Sequence, residues 1–169
     1  GQPLFSNVDF KVNRGDKVAF IADNGLAITS FFKILMDELK PDSGEISFGQ
    51  TITKTYLPNE NEEYFRGNEN LVDWLRQYSE NKDEVYVRGF LGKMLFSGEE
   101  VFKNVSVLSG GEKVRCMISR MMLGHGNLLI LDEPTNHLDL ESIQAFNNAL
   151  KDFPGTVLFT SHDHTFVQT

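Results

Sequence analysis

Residues 128–132, Leu-Leu-Ile-Leu-Asp, run apolar without alternation and end on a carboxylate. A half-exposed strand alternates apolar and polar residues. An unbroken short run therefore reads as a strand buried on both faces of a parallel sheet. Parallel neighbours need crossover connections, usually helices, and helical patterns flank this strand, at 110–123 before it and at 140–153 after it. A further apolar strand, TVLFTS, follows at 156–161, and VAFIA at 18–22 is another. After a loop at Asn24-Gly25, the segment 28–40 carries Phe31, Phe32, Ile34, Leu35 and Leu39 as a helical stripe. Pro41-Asp42-Ser43-Gly44 stops it. FSNVDFKV, ISFG and TKTYLP read as strands, and residues 69–95 as helical. Strand–helix alternation around a buried strand predicts an α/β fold. The reading is one domain over residues 1–169 with a helical insert at about 65–125.

Composition narrows the function. The chain has 169 residues and a formal net charge of −8, which argues against this segment gripping nucleic acid directly. The acidic cluster Glu60, Glu62 and Glu63 reads as a solvated face. No apolar stretch approaches the ~20 residues of a membrane span, and the chain does not open on a signal peptide. The single cysteine, Cys116, excludes an internal disulfide framework and fits a reducing compartment. The predicted location is cytoplasmic, with no membrane contact.

Motifs then stand in a fixed order: LSGGE at 108–112, LLILDEP at 128–134, NHLD at 136–139 and SHD at 161–163. In this order and approximate spacing they resemble the nucleotide-binding domains of ABC ATPases. Asn136-His137 before Leu138-Asp139, and Glu112-Lys113-Val114-Arg115 after the glycines, resemble the ABC-F type. These are tandem-cassette proteins without membrane segments, many of which act on ribosomes. The resemblance implies a P-loop NTPase-type, mostly parallel sheet with an antiparallel β region and a helical insert. It implies ATP and Mg²⁺ as cofactors, ATP hydrolysis as the activity, and a second cassette (on the same chain or in a dimer) as partner. The ribosome would be met through the full-length protein. It also implies that the family's first strand and adenine-stacking aromatic residue belong upstream of Gly1, so that the chain reads as a fragment truncated at both ends.

The residue types suit those roles. The strand brings Asp132 and Glu133 to its carboxyl end, where α/β sheets place ligands. By resemblance, Asp132 holds Mg²⁺, Glu133 is the general base and His162 is the switch that senses the γ-phosphate. His125 and His164 read as structural, since no metal-ligand set surrounds them. Ser109 suits a helix N-cap, and Gly110 and Gly111 let backbone N–H groups approach an anion. In the family, Ser109, Gly110, Gly111 and Glu112 serve the nucleotide bound on the opposing cassette, and Asp139 communicates across the dimer.

One stretch departs from the pattern. Residues 22–30 stand where G-x-x-x-x-G-K-[ST] should cradle phosphates. Asn24, Gly25, Thr29 and Ser30 keep the family's types, but Ala22 and Ala27 replace glycines and Ile28 replaces the lysine. Losing a charged hydrogen bond costs ~1.5–3 kcal/mol. A positive φ at Ala27 would add roughly 1–2 kcal/mol. Asp23 sets a carboxylate near the phosphates, and Asn59 stands at a glutamine position with an amide oxygen for Mg²⁺ or water. The expectation is an impaired phosphate loop, weak or no activity for the isolated domain, and only partial recovery on Ile28→Lys. Two other readings stay open: a non-catalytic, cassette-shaped interaction module, and the ATP-binding subunit of a transporter.

Overall fold

The computed structural model describes residues 2–160. Strands β1 (Lys17–Phe20), β2 (Lys54–Leu57), β3 (Leu128–Asp132) and β4 (Thr156–Thr160) form one sheet of order β1-β4-β3-β2. Every pair in it is parallel. The two central strands, β3 and β4, are buried at every position, as an unalternating apolar run requires.

Strand parity divides the core. Leu128, Ile130 and Leu158 face α1 (Gly25–Leu35) and pack with Ile28, Phe32 and Leu35. Leu129, Leu131, Val157 and Phe159 face the other way, onto α4 (Gly110–Leu123) and α5 (Leu140–Asp152). Between β2 and β3 the described chain is helical. It holds α2 (Leu71–Arg76) and α3 (Glu84–Lys93) before α4, with short 3-10 turns between them. Trp74 is fully buried in this region, its ring stacked on Phe65 at 4.9 Å.

Three sequence expectations need correction. The helix expected at 28–40 runs from Gly25 to Leu35 instead. Asn24 caps its start, accepting from the Leu26 N–H, and Asp37 at φ 62° breaks its end. Asp tolerates that left-handed conformation better than most residues. The helix expected over 69–95 is split, because Ser79 and Asn81 form a turn and Asp83 caps a new helix. Finally, the antiparallel β region is not built as a ladder among the described residues. Segments 5–12 and 46–49 run without strand pairing. A ladder needs an adjacent free edge. Here Phe5 and Phe10 instead lay their rings against Phe31 of α1, each at 5.7 Å.

Candidate functional site

The carboxyl end of β3 is built by parity. Residues 128, 130 and 132 share the face that looks onto α1, so Asp132 emerges beside that helix. The Thr29 hydroxyl donates to Asp132 Oδ2 at 2.7 Å, and the Tyr56 hydroxyl lies 3.4 Å from the same oxygen. Asp132 is only 2% exposed. Burial pushes its carboxyl above the ordinary value, and the neighbouring Glu133 charge pushes the same way, against hydrogen bonds from Thr29 and Tyr56. Burial and the charge of Asp132 likewise raise the Tyr56 phenol. Two hard oxygen donors, Thr29 Oγ1 and Asp132 Oδ2, thus meet within hydrogen-bonding distance. That set fits Mg²⁺, which takes one or two protein oxygens and fills the rest of its shell with water and phosphate.

The raised Asp132 predicts a pH dependence. The folded chain holds this proton more tightly than the unfolded chain, so the ionised carboxylate costs stability at neutral pH. Acidification through the raised value removes that cost. Asp132→Asn is therefore expected to melt above the parent at pH 8, with the gap closing as pH falls into the carboxylate range. A gap that is constant with pH in thermal melts would show that the ionisation of Asp132 is not its cause.

In the stretch 22–30 only residues 22–24 precede helix α1. Gly25, Leu26 and Ala27 already lie in α1, and Ala27 does not have a positive φ. The backbone cost expected at Ala27 is therefore absent. Asn24 consumes the first donors itself. Its side-chain oxygen accepts from the Leu26 N–H at 3.0 Å, and its carbonyl accepts from the Ala27 N–H at 3.1 Å. Ile28 is 7% exposed and packs inward with Phe32 and Leu35. Ser30 is half-buried on the same helix. Asn59 is exposed just beyond β2, whose Leu57 pairs with Leu131, so it lies at the same end of the sheet as Glu133. Glu133 is half-buried, with its backbone at φ 49°.

A second group of predicted residues lines a groove of about 380 Å³. Ser109, Gly110, Gly111 and Glu112 form one wall, at the start of α4, and His137 and Asp139 belong to the other. Ser109 and Glu112 make a reciprocal capping box. The Ser109 hydroxyl accepts from the Glu112 N–H at 3.2 Å, and Glu112 accepts from the Ser109 N–H at 2.7 Å. Glu112 also takes the Lys103 ammonium at 2.7 Å. Burial alone would raise its carboxyl, but the bonds from Lys103 and Ser109 outweigh that and hold it low. Asp139 caps α5 through the Ser142 N–H at 2.8 Å, and the bonds from Ser142 lower its carboxyl. Both carboxylates are thus engaged within the chain.

His162, the predicted switch, lies outside the described residues. Sequence reasoning missed Tyr56, although TKTYLP carried the signal: position 56 pairs with Ile130 and so shares the face of Asp132. Arg115 and His137 were read as markers of type, yet both line the groove.

The sequence matches the family described as ABC transporter over residues 5–136. It is 60% identical to the uncharacterized ABC transporter ATP-binding protein YkpA of Bacillus subtilis (strain 168), covering 100% of this chain and 32% of that protein. It is 31% identical to ABC transporter F family member 5 of Arabidopsis thaliana, covering 98% of this chain and 24% of that protein. The chain thus spans about a third or less of the length of these relatives. Among solved structures, the archaeal ribosome recycling factor aABCE1, in complex with the stalk protein aP1, superposes with a TM-score of 0.77. That match covers 92% of this chain and 30% of the other, at 24% identity, and is a likeness of fold. Among the described residues no helix is long and apolar enough to cross a membrane. With the parallel sheet, the motif order and the family match in agreement, the chain belongs to the ABC transporter family as an ATP-binding cassette domain.

Proposed function

We propose that this cassette is of the ABC-F type and works as one half of a pair, binding and hydrolysing ATP at composite sites while its own phosphate loop is impaired. The carrying observation is a contrast within one domain. The Leu26 and Ala27 N–H groups of the loop at 22–28 are bonded to Asn24, whereas the start of α4 at Ser109 lines an open groove of about 380 Å³. A half that lends its signature helix needs the groove and can dispense with the loop.

In this reading Ser109, Gly110, Gly111 and Glu112 present the start of α4 to the nucleotide held by the second cassette, where helix-end N–H groups favour an anion. Asp139 relays the state of the interface. Glu133 orients and deprotonates water at this domain's own site, and His162 senses the γ-phosphate there. Thr29, Asp132 and Asn59 would hold Mg²⁺, which supplies charge neutralisation of the phosphates when bound. Asn24, Gly25, Ala27, Ile28 and Ser30 border the phosphates, with weakened affinity. The domain boundary is proposed at 1–169, with about 65–125 as a helical subdomain. The ribosome is the proposed partner of the whole protein, supported by the ABC-F features at 112–115 and 136–139.

The test is Ser109→Arg in the assembled two-cassette protein. Bulk placed where the partner's γ-phosphate would sit is expected to reduce steady-state ATP turnover at least about tenfold, with the protein still folded by circular dichroism. Unchanged turnover would remove the composite-site reading and leave a non-catalytic, cassette-shaped interaction module.

A further inference from the structure

Gly110 and Gly111 meet different surroundings, and the difference points back into the chain itself. A β-carbon on Gly110 would lie 3.6 Å from the His137 ring, an ordinary contact. A β-carbon on Gly111 would lie 2.7 Å from the His137 carbonyl oxygen. That distance is too short, and the obstructing atom is backbone, which cannot rotate aside like a side chain. Neither glycine has a positive φ, so conformational freedom does not explain them. What position 111 needs is the absence of a side chain.

The loop that delivers this carbonyl is tightly specified. Between Glu133 and Asp139 the chain makes two turns, closed by Asn136 N–H to Glu133 C=O and Leu138 N–H to Thr135 C=O, both at 3.1 Å. Glu133 and His137 each sit in the left-handed region, at φ 49° and 66°. Non-glycine residues occupy that region only where the surroundings compel it. On the far side Asp139 fixes the loop to α5, and opposite it the Ser109–Glu112 box fixes the first turn of α4.

We infer that Gly111 and His137 form an intrachain latch, in which the His137 carbonyl seated on Gly111 locks the Glu133-bearing turns to the start of α4. His137 is then a positioning residue for the groove, acting through its backbone rather than its exposed imidazole. The inference takes only the groove's purpose from the proposed function, and its test involves no nucleotide.

Hydrogen exchange and thermal melting of the 169-residue chain test it. A glycine-to-alanine change inside a helix ordinarily raises stability. Gly110→Ala is expected to do so, leaving exchange at the Asn136 and Leu138 amides within about twofold of the parent. Gly111→Ala is expected to melt lower and to speed exchange at those two amides on the order of tenfold. Adding His137→Gly, which frees the obstructing peptide to turn, should raise the melting temperature of Gly111→Ala by more than His137→Gly raises that of the parent, since glycine at φ 66° relieves strain on its own. Equal behaviour of the two alanine variants would overturn the latch. If Gly111→Ala fails to fold, the double variant decides: recovery supports the latch, and no recovery overturns it.

Discussion

Ile28→Lys is expected to lower the stability of the chain by about 2–3 kcal/mol while tightening Mg-ATP binding less than about fivefold. Restoring the family's lysine at this position looks like a repair, but the structure argues otherwise. Ile28 is 7% exposed and lies one turn before Phe32 on the inner face of α1, against Leu128, Ile130 and Leu158. Removing a buried isoleucine forfeits roughly 1.5–3 kcal/mol. The ammonium adds a desolvation cost that the long stem relieves only in part by reaching outward. Nor does the lysine recover the backbone donors, since Leu26 and Ala27 N–H remain bonded to Asn24. Chemical denaturation with calorimetric titration checks both halves. A gain in affinity of about a hundredfold, the full worth of a charged hydrogen bond, would show that the loop opens for phosphate and that its self-capping is weak.

Trp74→Ala is expected to cost about 3–5 kcal/mol, comparable with the whole stability of many domains. Trp74 is fully buried and stacks on Phe65, with Tyr78 edge-on at 5.3 Å. Its indole N–H donates to the Tyr64 carbonyl at 2.8 Å. The truncation opens a large cavity and strips a carbonyl of its donor, two separate penalties. The consequence extends to function, because Trp74 belongs to the same core cluster as Val114, Cys116 and Met117 of α4, the helix whose start forms the groove wall. Trp74→Phe keeps most of the volume and should recover more than half of the loss. A loss below about 1.5 kcal/mol for Trp74→Ala in urea unfolding would mean that the region relaxes into the space.

The legible parts of the fold are those where one physical signal acts alone. LLILD and TVLFT read as strands because five-residue apolar runs rich in branched side chains are too short for a buried helix. Ser109 and Glu112 form a capping box because the three-residue spacing brings each side chain to the other's backbone. FSNVDFKV has the composition of a strand, but a ladder also needs a neighbouring edge, and composition does not carry that information. Leu39 continued the apolar stripe of α1 and yet is 45% exposed, because Asp37 had already ended the helix. At the candidate site, Thr29 and Asp132 were readable as residue types in a known order, and the structure brings them to 2.7 Å. The close approach of His137 to Gly111 was not readable. It depends on a backbone oxygen, and every residue has one.

The strand order bears on how this chain is made. β4 lies between β1 and β3, so Lys17 finds its partner Val157 only after nearly all the described chain exists. A ribosome synthesising from the amino end releases β1 before β4, the strand it pairs with among the described residues. Contacts so distant in sequence carry a loop-closure cost before any return, and they slow folding. Phe31 of α1 can meet Phe5, Phe10 and Phe20 early, but the edge of β1 and the Ile28–Phe32–Leu35 face of α1 lack their described partners until β3 and β4 emerge. That interval is when apolar segments of this kind are most exposed to aggregation and most in need of a chaperone.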